Sequence, residues 1–110
     1  MTIAGLHPPA DPAGKRPLFS IVLPAFNEQA VLPQTYVRCT GIAPALSAMG
    51  LDYELIFVND GSTDRTWEIL NEQFGPRPDA LLVRHEFNRG VAAAISTGLD
   101  RAREIACSMD

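Results

Sequence analysis

Apolar residues come along this chain in short runs, and most runs hand over to a polar motif before a helix-like stretch begins. Leu18-Phe19-Ser20-Ile21-Val22-Leu23 is rich in β-branched residues and stops at Pro24, which predicts a first buried strand. Behind it, Leu32, Tyr36, Cys39, Ala43 and Leu46 keep helical spacing; Pro33 suits an early helical position and Gly50 the helix end. Gly41 and Pro44 weaken or kink that helix. Tyr53 to Val58, interrupted only by Glu54, predicts a second strand. Ser62 or Thr63 can cap a second helix, with Asp64 in its first turn; Trp67, Leu70 and Phe74 make its inner face, and Gly75-Pro76 ends it. Leu81-Leu82-Val83 is a third strand. Val91, Ala94, Ile95, Gly98, Leu99 and Ala102 form a third helical face whose small residues let it lie close on a sheet. Ile105-Ala106-Cys107-Ser108-Met109 reads as a fourth strand ending at Asp110.

The alternation is βαβαβαβ, which predicts an α/β fold with a parallel, Rossmann-like sheet and right-handed crossovers. It brings Pro24-Ala25-Phe26-Asn27-Glu28, Asn59-Asp60-Gly61-Ser62-Thr63-Asp64 and Asn88-Arg89-Gly90 to one edge of the sheet, the carboxyl edge. Such folds bind ligands there, because adjacent loops splay apart and helix N-termini face the gap. Residues 1–17 are expected as a flexible, Pro-rich tail, and residues 18–110 as an incomplete domain, truncated after the fourth strand and cut at its active site.

Composition narrows the picture. With 110 residues, 46% hydrophobic and 20% charged, the chain is globular and buries a modest core. A net charge of −4 and the lack of a clustered basic surface argue against nucleic acid as a partner. Cys39 and Cys107 have neither CxxC nor Cys/His spacing and read as reduced, small apolar residues of a cytoplasmic domain. No window of about 18 apolar residues exists, so no membrane segment is expected in this stretch, and Met1–Arg16 lacks the apolar core of a secretory signal.

The polar motifs carry the candidate chemistry. Neither GxGxxG after the first strand nor GxxxxGK[ST] occurs, so no Gly-rich phosphate cradle is present. Asp60, at a strand end before Gly and Ser, can accept from a base N–H or a ribose hydroxyl; Asp-Gly-Ser-Thr-Asp is also good turn chemistry by itself. Glu28 can bind a ribose or cap a helix. Phe26 can stack on a base or fold back onto the core. Arg89 and Gly90 open a helix, where phosphate is readily accommodated, although a solvated loop needs the same residues. His85 reads as a strand-end residue rather than a base, and Ser62 has no base nearby in sequence, so no Ser/His/Asp triad is evident. Asp110 is a single carboxylate, too few to hold a divalent cation alone.

Taken in order and at these spacings, Phe19 to Glu28, Val58 to Asp64, and Asn88-Arg89-Gly90 with Ala94 and Gly98 resemble the N-terminal half of a family 2 glycosyltransferase. The similarity is greatest to the dolichol- and polyprenyl-phosphate mannose synthase type, and runs from about Phe19 to Asp110. The resemblance implies a GT-A fold that binds a nucleotide-diphosphate sugar, UDP- or GDP-linked, for inverting transfer, with a polyprenyl phosphate as an acceptor. It implies that Pro24, Phe26 and Glu28 line the nucleoside pocket, that Asp60 bonds the base, and that Arg89 lies toward the diphosphate. It further implies Mg²⁺ or Mn²⁺ at an Asp-x-Asp whose first carboxylate is Asp110, and a cytoplasmic enzyme, at the membrane face in the full-length protein. Asn59 departs from the second Asp that many members carry, and Val91 from a polar residue. No catalytic residue is assigned, since the second metal Asp, the base and the acceptor site have no counterpart. The competing expectations are a nucleotide-binding fragment without turnover, and a sugar nucleotidylyltransferase. The latter would need a Gly-rich basic loop where Pro24–Glu28 stands.

Overall fold

The computed structural model describes residues 3–7 and 17–108, with side chains described for 17–105. Its elements are β1 (Ile3–His7), β2 (Leu18–Ala25), α1 (Leu32–Ala48), β3 (Asp52–Asp60), α2 (Thr66–Phe74), β4 (Ala80–His85) and α3 (Val91–Ser108). The sheet runs β1-β2-β3-β4, with β2, β3 and β4 parallel and β1 antiparallel at the β2 edge.

The parallel strands are apolar on both faces, and the period of two decides which helix each residue meets. Ile21, Ala25, Leu55 and Phe57 point to one side, where they pack with Leu32 and Cys39 of α1 and Leu70 and Phe74 of α2. Val22, Ile56 and Val58 point to the other and meet Ala94 and Ala102 of α3. A Cβ on Gly98 would come within 2.2 Å of Val22 Cγ1, so α3 lies closer to β2 than any residue with a side chain at 98 would allow. Burying these side chains is the main driving force of the fold, at about 25 cal/mol per Å² of apolar surface.

Away from the site, the start of β4 is pinned by a charged cluster. Arg77 pairs with Asp79 at 2.7 Å and donates to the Tyr53 hydroxyl, which also bonds Asp79. The Arg77 guanidinium holds the Asp79 carboxyl below the usual carboxylate range. On the α2 side, Arg84 lies 5.3 Å over the Trp67 ring.

Two expectations are corrected, and a third falls outside the described residues. Ile105–Ser108 is not a fourth strand but the last turn of α3. Ile105 follows Ala102 by three residues and continues the apolar face of Ala94, Gly98 and Ala102, with no Gly or Pro between to stop the helix. Asp110, which that strand was to deliver to the carboxyl edge, lies outside the described residues. Within residues 1–17, expected as a tail, Ile3–His7 form β1, whose backbone pairs with the edge of β2 from Ile3↔Val22 to His7↔Leu18. Residues 8–16 lie outside the described part.

The second strand of the sheet also continues through Pro24 to Ala25. Among the described residues the pairing with β1 runs from Leu18 to Val22, and Pro24 lies past it on this edge side of the sheet, where a missing N–H is tolerated. Helix α1 runs through Gly41 and Pro44 without interruption and closes before Gly50.

Candidate functional site

The three motifs meet at the carboxyl edge, as the alternation predicts. Register puts Ala25 beside Asn59 and Asp60 beside His85, so the loops leaving β2, β3 and β4 start side by side. They enclose a cleft of about 370 Å³ lined by Pro24, Ala25, Phe26, Glu28, Asp60, Asn88, Val91 and Ala94. A second, more apolar cavity of about 340 Å³ lies on the α1 side and shares Pro24, Ala25 and Glu28 with it.

Neighbouring residues of a strand face opposite ways, and the end of β3 uses this to tie both adjacent loops. Asn59, 1% exposed, accepts a bond from the Ser62 hydroxyl, and Ser62 in turn accepts from the Asn27 amide at 3.0 Å. Asn27 holds a left-handed backbone (φ 50°), which aims its side-chain oxygen at the amides of Thr63 (2.8 Å) and Asp64 (3.3 Å). The Glu28 amide donates to Thr66 Oγ1 at 2.8 Å, and the Gln29 amide to Asp64. The first and second loops are therefore clasped together.

Those bonds also displace the expected cap. Ser62 and Thr63 are engaged across the loops, so α2 starts only at Thr66, whose amide bonds Asp64 Oδ1 at 2.9 Å. Burial pushes the Asp64 carboxyl up, but its bonds from Thr66 and Gln29 outweigh that and leave it below the ordinary range.

Asp60 ties the second loop to the third. Its carboxylate is 3% exposed and takes four donors: His85 Nδ1 (2.8 Å) and the Arg89 amide (2.9 Å) on Oδ1, Asn88 Nδ2 (3.1 Å) and the Gly90 amide (2.8 Å) on Oδ2. Burial raises its proton affinity, yet the bonds from His85, Arg89 and Gly90 prevail and hold the carboxyl below its ordinary value. Gly61 lets the loops close on one another. Its φ is 67°, and a Cβ there would lie 2.2 Å from the Phe87 backbone.

Each expected site residue can now be placed. Pro24, Phe26, Glu28 and Asp60 line the cleft together. Phe26 is 43% exposed, so it does not fold back into the core. Glu28 lines the cleft, and its backbone amide is used in the clasp. Arg89 contributes its amide to Asp60, while its side chain is exposed. Sequence reasoning missed Asn27 and His85, whose partners lie 12 to 37 residues away. Among the described residues, no group of three or more His, Cys, Asp or Glu side chains could hold a metal ion. The carboxylate most deeply set in the cleft, Asp60, is already committed to four N–H donors, so these residues do not by themselves fit a divalent cation. No described helix is long and apolar enough to cross a membrane.

Comparison with known proteins gives one consistent answer. The model of the family described as glycosyl transferase family 2 matches residues 20–105. An uncharacterized glycosyltransferase of Bacillus subtilis is 39% identical over 85 residues, covering 77% of this chain and 25% of that protein. An undecaprenyl-phosphate 4-deoxy-4-formamido-L-arabinose transferase of Edwardsiella ictaluri is 37% identical over 86 residues, 76% of this chain and 25% of the relative. A PGL/p-HBAD biosynthesis glycosyltransferase of Mycobacterium bovis is 38% identical over 87 residues, 78% of this chain and 31% of the relative. The chain thus spans between a quarter and a third of the length of these relatives.

Proposed function

The chain belongs to glycosyltransferase family 2, and on that premise we propose that its carboxyl-edge cleft binds the nucleotide part of a UDP- or GDP-sugar. The observation that carries this reading is the cleft itself: Pro24, Phe26, Glu28 and Asp60 converge on one space of about 370 Å³ between clasped loops. That volume suits a nucleoside, and the exposed Phe26 ring offers a stacking face. The Glu28 carboxylate serves as acceptor for a ribose hydroxyl or a base N–H. A bond from the base to Asp60 would have to displace one of its four donors, so Asp60 acts mainly by holding the third loop. Arg89 lies at the start of α3, where its cation and the helix N-terminus favour the diphosphate.

In the reaction proposed for the whole protein, an acceptor oxygen attacks the anomeric carbon as the bond to the nucleoside diphosphate breaks, with inversion. The relative that acts on undecaprenyl phosphate makes a polyprenyl phosphate the acceptor of first choice. Mg²⁺ or Mn²⁺, if used, would need carboxylates beyond the described residues, Asp110 among them. No side chain in the cleft is assigned as the base, so the 110-residue chain is proposed to bind donor without transferring sugar.

Calorimetric titration of the chain with UDP and GDP tests the reading. We expect saturable binding of at least one of them, weakened about tenfold or more in Glu28→Ala, the loss of one hydrogen bond to a charged group. Affinity for neither nucleotide, or full affinity in the variant, would overturn it.

A further inference from the structure

We infer that His85 is a positioning residue for the proposed donor site, acting through Asp60 on the backbone of Arg89 and Gly90. The inference rests on the donor-site reading for its consequence, but the geometry stands independently. His85 ends β4 directly beside Asp60 in the sheet register, and both side chains face α3. The ring is 7% exposed and bridges two elements: Nδ1 lies 2.8 Å from Asp60 Oδ1, and Nε2 lies 2.8 Å from Thr97 Oγ1 in the second turn of α3.

One tautomer satisfies the whole array. With the proton on Nδ1, the ring donates to the carboxylate, and Nε2 accepts the Thr97 hydroxyl proton. The ring then stops the carboxylate from turning about its last torsion. Its plane, in turn, sets where the Arg89 and Gly90 amides lie, and these lead directly into α3. Val91 and Ala94, the first residues of that helix in the cleft, inherit their position from this chain of bonds.

The wiring Asp60–His85–Thr97 resembles that of a nucleophilic triad, but the surroundings do not support attack by Thr97. Thr97 does not line the carboxyl-edge cleft, and it sits within α3, where backbone amides are engaged in the helix and offer no oxyanion donors. Orientation is what the array can supply.

A pair of isosteres separates orientation from mere filling of space. Asn at position 85 can place a donor where Nδ1 stands, whereas Gln reaches only toward the Nε2 position. Amide exchange of Arg89 and Gly90, measured by NMR without nucleotide, should stay within about threefold of wild type in His85→Asn and rise about tenfold or more in His85→Gln. Affinity for UDP or GDP should follow the same order. Thr97→Val, which keeps the volume and removes the hydroxyl, should raise exchange at the same two amides by a few-fold, and it serves where His85→Gln fails to fold. Equal behaviour of Asn and Gln, or unchanged exchange in both His85→Gln and Thr97→Val, would overturn the inference. Wild-type protein that binds neither nucleotide overturns the donor reading instead, and the exchange pattern still decides the role of His85.

Discussion

Two clasps hold the three carboxyl-edge loops together, and they are built on opposite principles. The clasp around Asn27 joins the first loop to the second through many separate bonds, most of them neutral and exposed: from Asn27 to Ser62, Thr63 and Asp64, with those of Gln29 to Asp64 and Arg65 and of the buried Thr66 beside them. The clasp around Asp60 joins the second loop to the third through one buried charge with four donors. Water can replace each of the exposed partners of Asn27 in the first, so its strength is distributed. In the second, one carboxylate is the common partner of every bond, and an unmet donor in a buried place is costly. The shape of the first loop therefore rests on several residues, and that of the third on one.

The sharpest way to break this contrast is Asp60→Ala. It removes the shared acceptor and leaves the buried His85 ring without its carboxylate, for an expected loss of about 3 kcal/mol in urea unfolding. The third loop should loosen with it, seen as lost exchange protection at Arg89 and Gly90. A loss below about 1 kcal/mol would place Asp60 among ordinary surface turn residues and erase the distinction between the clasps.

What the sequence made legible, and what it hid, follows the range over which each feature is decided. The placement of the three motifs on one edge is local information: apolar runs such as Leu55–Val58 announce buried strands, and each is followed by turn chemistry. Both faces of the sheet were likewise implied by continuous rather than alternating apolar runs. Ile105 was misassigned because a short apolar stretch fits a strand or a helix end equally well, and only its three-residue spacing from Ala102 decides. The strand at Ile3–His7 depends on the free edge of β2, which no local pattern reveals. His85 carried one overlooked signal, a polar ring ending an apolar run in register with Asp60. Its bond to Thr97, and the left-handed Asn27, are products of the assembled loops.

Acid should sharpen the comparison, with the next largest effect. Asp60, Asp64 and Asp79 all have carboxyls held below their ordinary value of 3.8. A depressed folded pKa means that the unfolded chain takes up the proton first. The stabilisation is complete above the ordinary value and is lost as pH falls through the lower folded values. Thermal midpoints should accordingly be flat near neutrality and fall below about pH 4. In Asp60→Asn the plateau should be lower and the acid slope shallower, because only Asp64 and Asp79 of these three still contribute. An unchanged slope in that variant would show that Asp60 is not held as an anion by its donors.

The smallest effect is expected at Asn27, and it separates backbone from hydrogen bonding. Its φ of 50° is unfavourable for a side-chain-bearing residue, and Asn tolerates it better than Ala does. Asn27→Ala should therefore lose both the exposed bonds to Thr63 and Asp64 and the backbone tolerance, for roughly 2 kcal/mol in all. Asn27→Gly loses the same bonds but fits the left-handed backbone, so its cost should be nearer 1 kcal/mol, part of it from the greater freedom of glycine in the unfolded chain. The difference between the two variants, read from urea unfolding midpoints, isolates the backbone contribution. If they are equal, the conformation of Asn27 is not strained and the hydrogen bonds alone carry the clasp. If either approaches the loss at Asp60, the first clasp is no more distributed than the second, and the contrast between them fails.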